Sequence, residues 1–134
     1  MKIDGGCHCG RIRYRAEADP DKVEICHCTD CQTLSGSAYR TVVPVAAGSF
    51  ELLHGTPKFY AKTADDGSVR LQAFCPECGS PLYSAPAEGE TGYFGIRIGT
   101  ATQRDRLVPK NQYWCRSAQP WTQDLSQMTR TEQE

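Results

Sequence analysis

The cysteines carry the chemistry of this sequence. Seven of the eight stand in three tight groups, Cys7 with Cys9, Cys26 with Cys28 and Cys31, and Cys75 with Cys78, while Cys115 stands apart. Thiols clustered in distant parts of a chain suit a tetrahedral zinc site, because one short loop cannot supply all four donors. Disulfides are the rival explanation in an oxidising compartment. The N-terminal Met1-Lys2-Ile3-Asp4-Gly5-Gly6 lacks the apolar stretch of a leader, and no run approaches the roughly 18 apolar residues of a membrane span. The chain therefore reads as cytoplasmic and off the membrane, where reduced thiols favour metal binding or catalysis over cross-links.

The spacing within each group sets its geometry. In Cys75-Pro76-Glu77-Cys78-Gly79 the two thiols flank a tight turn, with Pro76 presetting φ and Gly79 able to take a positive one. This is a metal knuckle. A redox pair of the same spacing normally opens a helix in a βαβ pattern, which the sequence lacks. In Cys7-His8-Cys9-Gly10 an extended backbone would point both sulfurs to one side and His8 to the other, with the glycine relieving crowding. Each pair offers two ligands, so Cys7, Cys9, Cys75 and Cys78 make one closed, all-thiolate structural site.

Cys26-His27-Cys28-Thr29-Asp30-Cys31 combines both spacings on a shared Cys28. Three thiolates converging on a second zinc leave its fourth position open, which separates a catalytic site from a structural one. The alternative is a ribbon of Cys28, Cys31, Cys75 and Cys78, leaving Cys7, Cys9 and Cys26 without a role. Two zinc ions per chain are expected, with partial occupancy of the second site an option. Three thiolates on one Zn2+ carry a net negative charge, which weakens the ion as an activator of water and favours exchange of a thiol. The expected ligand is a small thiol or thiol adduct.

These groups must be positioned by a mainly β domain. Arg11-Ile12-Arg13-Tyr14-Arg15-Ala16-Glu17 alternates strictly, with Ile12, Tyr14 and Ala16 on one face. Further strands are expected at residues 38–43, 50–53, 58–61, 69–74, 93–98 and 112–114, with Asp66-Gly67 turning a hairpin. Thr29 to Ser35 reads as one short helix capped by Thr29. The 134 residues suit a single domain over 1–121, and the polar run 122–134 reads as a loose tail. A net charge of -1 provides no basic field for nucleic acid.

Other residues carry plainer expectations. His8 and His27 point away from the metals, into supporting or surface positions, and His54 is exposed at a turn. Cys115 is either a buried, idle strand residue or the fourth ligand of the open site. Tyr113, Trp114 and Trp121 belong to the core or to an aromatic wall beside a cleft. Arg11, Arg13, Arg15, Arg40 and Arg97 are candidates for holding a carboxylate, against a background of solvated strand faces.

The series Gly6-Cys7-His8-Cys9-Gly10, Cys26-His27-Cys28-Thr29-Asp30-Cys31 with Ser35-Gly36, Phe74-Cys75-Pro76-Glu77-Cys78-Gly79-Ser80, and the closing Pro120-Trp121 resembles the glutathione-dependent formaldehyde-activating enzymes, also called the GFA or CENP-V domain. The resemblance implies a β-tent fold, with short antiparallel sheets organised around zinc. It also implies a structural zinc on Cys7, Cys9, Cys75 and Cys78, and a second zinc on Cys26, Cys28 and Cys31. The implied activity is carbon–sulfur lyase chemistry that interconverts S-(hydroxymethyl)glutathione with glutathione and formaldehyde. No catalytic residue is assigned beyond Cys26, Cys28 and Cys31. Where the family often carries a histidine, in a pattern like Pro-x-x-His-Ile-Trp, this chain has Gln112 in Pro109-Lys110-Asn111-Gln112-Tyr113-Trp114. A noncatalytic zinc-stabilised binding module and a thiol-based metal or redox sensor are the alternatives, and a homodimer is compatible with the chain.

Overall fold

Alternation of apolar and polar residues does most of the folding. In the computed structural model, which describes Met1 to Glu134, Lys2–Gly6 (β1) and Arg13–Glu17 (β2) pair antiparallel and bury Ile3, Tyr14 and Ala16 on one face. Phe50–His54 (β5) adds to β2 and completes a three-stranded sheet. The remaining strands are Glu24–Cys26 (β3), Arg40–Ala46 (β4), Lys58–Thr63 (β6), Val69–Phe74 (β7), Pro81–Pro86 (β8), Tyr93–Arg97 (β9) and Asn111–Tyr113 (β10). They form a seven-stranded sheet in the order β10-β3-β4-β9-β8-β7-β6, antiparallel throughout except for the β10–β3 pair. Thr29–Ser35 (α1) is the single α-helix, so the fold is mainly β. No helix is long and apolar enough to cross a membrane.

Residues paired across antiparallel strands share a face, and residues two apart on one strand do too. The pairs Val43↔Ile96, Ile96↔Tyr83, Tyr83↔Ala73 and Ala85↔Leu71 therefore define one face of the large sheet. This face packs with Ile3, Tyr14 and Ala16 of the small sheet in one core cluster. Phe50 bridges the sheets, with ring centroids 5.8 Å from Tyr14, 4.6 Å from Tyr83 and 4.7 Å from Phe94. Burying a side chain such as Ile96 or Leu107 contributes about 1.5–3 kcal/mol.

The opposite face of the large sheet is polar. The pairs Cys26↔Arg40, Val42↔Arg97, Gly95↔Ser84, Ser84↔Gln72 and Lys62↔Arg70 run across it. Helix α1 lies against β4. The sheet thus separates a core face from a face bearing charge and sulfur.

The helix has the expected bounds but a different cap: Cys28 is the N-cap, and its sulfur accepts the Cys31 N–H at 3.3 Å. Thr29 has the first helical position instead. The Asp66-Gly67 hairpin joins β6 and β7, with Gly67 at φ 85°. Strands β1, β3 and β8 went unrecognised in the sequence. Pro81 and Pro86 disguise β8, yet they stand at its two ends and leave the ladder between them free to pair. The core reading of the aromatics fails: Tyr113, Trp114 and Trp121 are each about half exposed and outside the core. Cys115 begins an exposed 3-10 turn, so the idle-strand reading of it also fails.

Candidate metal centres

The cysteines converge as two separate groups. The sulfurs of Cys7, Cys9, Cys75 and Cys78 all lie within 4.8 Å of one another, as do those of Cys26, Cys28 and Cys31. The ribbon alternative, which joins Cys28 and Cys31 to Cys75 and Cys78, is therefore excluded. Cys115 belongs to neither group.

The four-cysteine group is built from two turns. Gly10 N–H bonds the Cys7 carbonyl at 3.1 Å, so Cys7 to Gly10 is a turn rather than the extended run expected from its spacing. Gly10 serves a positive φ of 82°, not a crowded contact, since nothing lies within 4 Å of where its Cβ would stand. On the other side, the Gly79 N–H bonds the Cys75 carbonyl at 2.9 Å, and Gly79 has the anticipated positive φ of 74°. Ser80 links the turns: its hydroxyl accepts the His8 N–H at 3.0 Å and lies 3.2 Å from the Cys78 sulfur. The Ile12 N–H points at the Cys7 sulfur at 3.2 Å. The side chain and backbone of Ser80, with the Cys9 backbone, lower the Cys78 thiol to about 5.

These dimensions fit a metal. Tetrahedral Zn–S bonds of about 2.3 Å place neighbouring sulfurs about 3.8 Å apart. The Cys7–Cys9 and Cys9–Cys75 sulfur separations are 3.5 and 3.7 Å. All eight cysteines are free of disulfides. Both groups are thus chemically able to hold a thiophilic ion.

The three-cysteine group sits where β3 runs into α1. Here the backbone is extended through Cys28, so Cys26 and Cys28 face one way and His27 the other. His27 is buried: its Nε2 pairs with Gln112 Oε1 at 2.9 Å, its ring meets Tyr39 edge-on, and its Nδ1 has no partner. Gln112, at the position of the family histidine, thus anchors this support. Gln32 adds a second tie, donating to the carbonyls of His27 at 2.8 Å and Ser117 at 3.0 Å. The Cys31 thiol, by hydrogen bonding, holds Cys26 down to about 5, and the same bond pushes Cys31 up. The charge of Arg40 favours the thiolate of both.

Cys26 and Cys31 line a small cleft of about 170 Å³ on the polar face, with Arg40, Arg97 and Gln72 on its floor. A larger cavity of about 460 Å³ shares Leu34 and those three floor residues, and adds an apolar wall of Phe59, Phe74 and Pro81. Lys62 closes one side by pairing with Asp30 at 2.9 Å. Burial opposes the charge on Lys62, but the hydrogen bond and charge of Asp30 raise its pKa overall. Burial and the neighbouring Cys26 push the Glu24 carboxyl up.

The five candidate arginines separate cleanly. Arg11, Arg13 and Arg15 are exposed, whereas Arg40 and Arg97 are 9% and 8% exposed and both donate to Gln72 Oε1, at 3.3 and 2.7 Å. Burial, together with the charges of Arg40 and Arg70, lowers Arg97 to about 9. Gly95 makes room for this arrangement: a Cβ there would meet Ser84 Oγ at 2.8 Å and Val42 Cγ1 at 3.2 Å. Sequence reasoning missed Gln72, Gln32 and Ser80, because neutral side chains at irregular spacing carry no motif.

Comparison with known proteins gives a consistent picture. The family described as Glutathione-dependent formaldehyde-activating enzyme matches residues 2–117. An uncharacterized lyase of Schizosaccharomyces pombe is 26% identical over 93 residues, which is 69% of this chain. The match covers 64% of that relative, so the chain spans a little under two thirds of its length. A crystal structure of a Rhodobacter sphaeroides protein superposes with a TM-score of 0.61 at 17% identity, covering 84% of this chain and 99% of that one. The two share a fold.

Proposed function

The chain belongs to the glutathione-dependent formaldehyde-activating enzyme family, and on that premise we propose that it is a zinc-dependent carbon–sulfur lyase acting on a thiol adduct such as S-(hydroxymethyl)glutathione. The observation that carries this reading is the division of seven sulfurs into a group of four away from the cleft and a group of three, two of which, Cys26 and Cys31, line it. In this reading Cys7, Cys9, Cys75 and Cys78 hold a structural zinc, and Cys26, Cys28 and Cys31 hold a second. With its fourth position open, that second ion would supply a soft Lewis acid that stabilises negative charge on the ligand's sulfur.

The reaction balances without any oxidant or reductant. In an adduct RS–CH2–OH the C–S bond breaks with its electrons going to sulfur, the hydroxyl proton leaves, and the C–O bond becomes the carbonyl of formaldehyde. The thiolate takes up a proton, and the reverse steps make the adduct. In the direction that makes the adduct, the chain's own residues would hold thiol and aldehyde together, turning a two-molecule step into an effectively one-molecule one. Leu34, Phe59 and Phe74 provide an apolar wall for the body of the ligand and exclude water, while Arg40, Gln72 and Arg97 form a polar floor beside the sulfurs.

The experiment is metal analysis joined to turnover. Zinc-loaded protein is expected to contain two zinc ions per chain and to release formaldehyde from S-(hydroxymethyl)glutathione. Cys28→Ser is expected to retain one zinc and lose both turnover and calorimetric binding of glutathione. Two zinc ions without turnover would favour the binding-module alternative. Glutathione binding unchanged in Cys28→Ser would remove the three-cysteine zinc from the mechanism.

A further inference from the structure

A buried guanidinium without a carboxylate is uncommon, because taking the charge from water is costly unless a counter-charge or full hydrogen bonding compensates it. Here two such groups sit side by side. The guanidiniums of Arg40 and Arg97 each make one hydrogen bond within the protein, both to the same Gln72 oxygen, and neither takes part in any of the ion pairs. Their bonding nitrogens are held within about 6 Å of one another by that shared acceptor, a repulsive placement in a partly dry cleft. The other charges facing them do not relieve it. Asp30 is committed to Lys62 at 2.9 Å, and Arg70 is occupied by Ser84 Oγ at 3.0 Å and by the Tyr93 ring. Only Glu24 and the thiols of Cys26 and Cys31 remain as sources of negative charge in the cleft lining.

We infer that Arg40, Gln72 and Arg97 form the binding site for a carboxylate carried by the thiol ligand. This rests on the reading of the three-cysteine centre as the thiol site. Charge in the lining suits a monoanion: four cationic side chains, Arg40, Lys62, Arg70 and Arg97, face the carboxylates of Glu24 and Asp30. Three thiolates on a divalent ion add one further negative charge. What is left over is a single positive charge, which one carboxylate neutralises. Geometry points the same way, since a guanidinium offers parallel N–H donors matched to a planar carboxylate. Arg40 is also the cross-strand partner of Cys26, and Arg97 that of Val42 beside it, so the anion site and the sulfur site occupy neighbouring positions on one sheet face. The carboxylate and the sulfur of a ligand spanning both would lie only a few bonds apart.

The test is calorimetry on zinc-loaded full-length protein with three probes: 3-mercaptopropionate, its methyl ester, and propionate. Charge-assisted hydrogen bonds predict that 3-mercaptopropionate binds roughly tenfold or more tightly than its ester. Arg97→Gln is expected to abolish that preference while leaving affinity for the ester unchanged, and Arg97→Lys to restore part of it. Equal affinity for acid and ester in the unaltered protein overturns the inference without any need for a variant to fold. A preference that persists in Arg97→Gln overturns it too. Binding of 3-mercaptopropionate and propionate alike, dependent on Arg97 but indifferent to Cys28→Ser, would leave the carboxylate site standing and count against the thiol chemistry.

Discussion

Cys28 accepts the backbone N–H of Cys31 on its sulfur at 3.3 Å, so the residue that caps α1 is also the middle member of the three-cysteine group. One side chain thus serves both the helix and the sulfur cluster, and substitutions can separate the two. Serine keeps an acceptor for the Cys31 N–H but is a poor ligand for a soft ion; alanine loses both. Both variants are expected to fall from two zinc ions per chain to one. Cys28→Ala should lose about a further 1 kcal/mol of stability for the missing cap. Zinc analysis and thermal melts check this, and a Cys28→Ser protein retaining two zinc ions would contradict it.

The two centres should give up metal in order. The three-cysteine group offers fewer donors and faces the cleft, whereas the four-cysteine group joins the turn ahead of β2 to the loop between β7 and β8. Titration with a chelator is expected to release one zinc first with little change in circular dichroism, and the second together with loss of structure. Cys75→Ser should cost at least about 3 kcal/mol, or roughly 10 °C in Tm. Simultaneous release of both ions would argue that the sites are not independent.

Gly6 supports the four-cysteine group through the backbone. A Cβ on it would stand 2.2 Å from the Ile12 carbonyl oxygen, which accepts the Cys7 N–H at 3.1 Å. Displacing Ile12 also moves its N–H from the Cys7 sulfur. Gly6→Ala is expected to destabilise the protein by about 2 kcal/mol and to weaken zinc retention. Gly48→Ala, which meets nothing within 4 Å, is the neutral control. Denaturant unfolding of both variants measures the difference.

Tyr14 predicts how stability varies with alkaline pH. Its phenol is buried against Thr100 Oγ1 at 2.9 Å, and burial pushes its pKa from 10.0 to about 12. Above the ordinary tyrosine pKa the unfolded chain gives up this proton while the folded protein retains it, so the unfolded state binds fewer protons and stability falls as pH rises. The loss runs between about pH 10 and 12 and amounts to on the order of 2 kcal/mol. Tyr14→Phe should flatten that part of the profile. An alkaline slope unchanged in Tyr14→Phe would assign the effect to other groups.

Much of the site was readable because metal ligation imposes short, regular spacings. Cys75 and Cys78 flank a turn with Gly79 at positive φ, as their spacing requires, and Cys26 and Cys28 face one way along an extended backbone. Cys7 and Cys9 reach the same end through a turn, since a CxC pair can converge by either route. The strands bounded by alternating β-branched and aromatic residues were legible, β7 to the residue. Strand β8, with a proline at each end, was not, because its place inside the sheet comes from its neighbours β7 and β9.

By itself, the sequence determined a mainly β protein through its alternating segments and three tight cysteine groups through their spacing, because covalent geometry limits where neighbouring thiols can point; the structure settled their division into a set of four and a set of three. Only the tertiary structure decided what stands beside the set of three. Arg40, Gln72 and Arg97 come from β4, β7 and β9, far apart in the chain, and meet because cross-strand register places them on one face. Register follows from burial of the opposite face, a property of the assembled sheet that no single segment encodes.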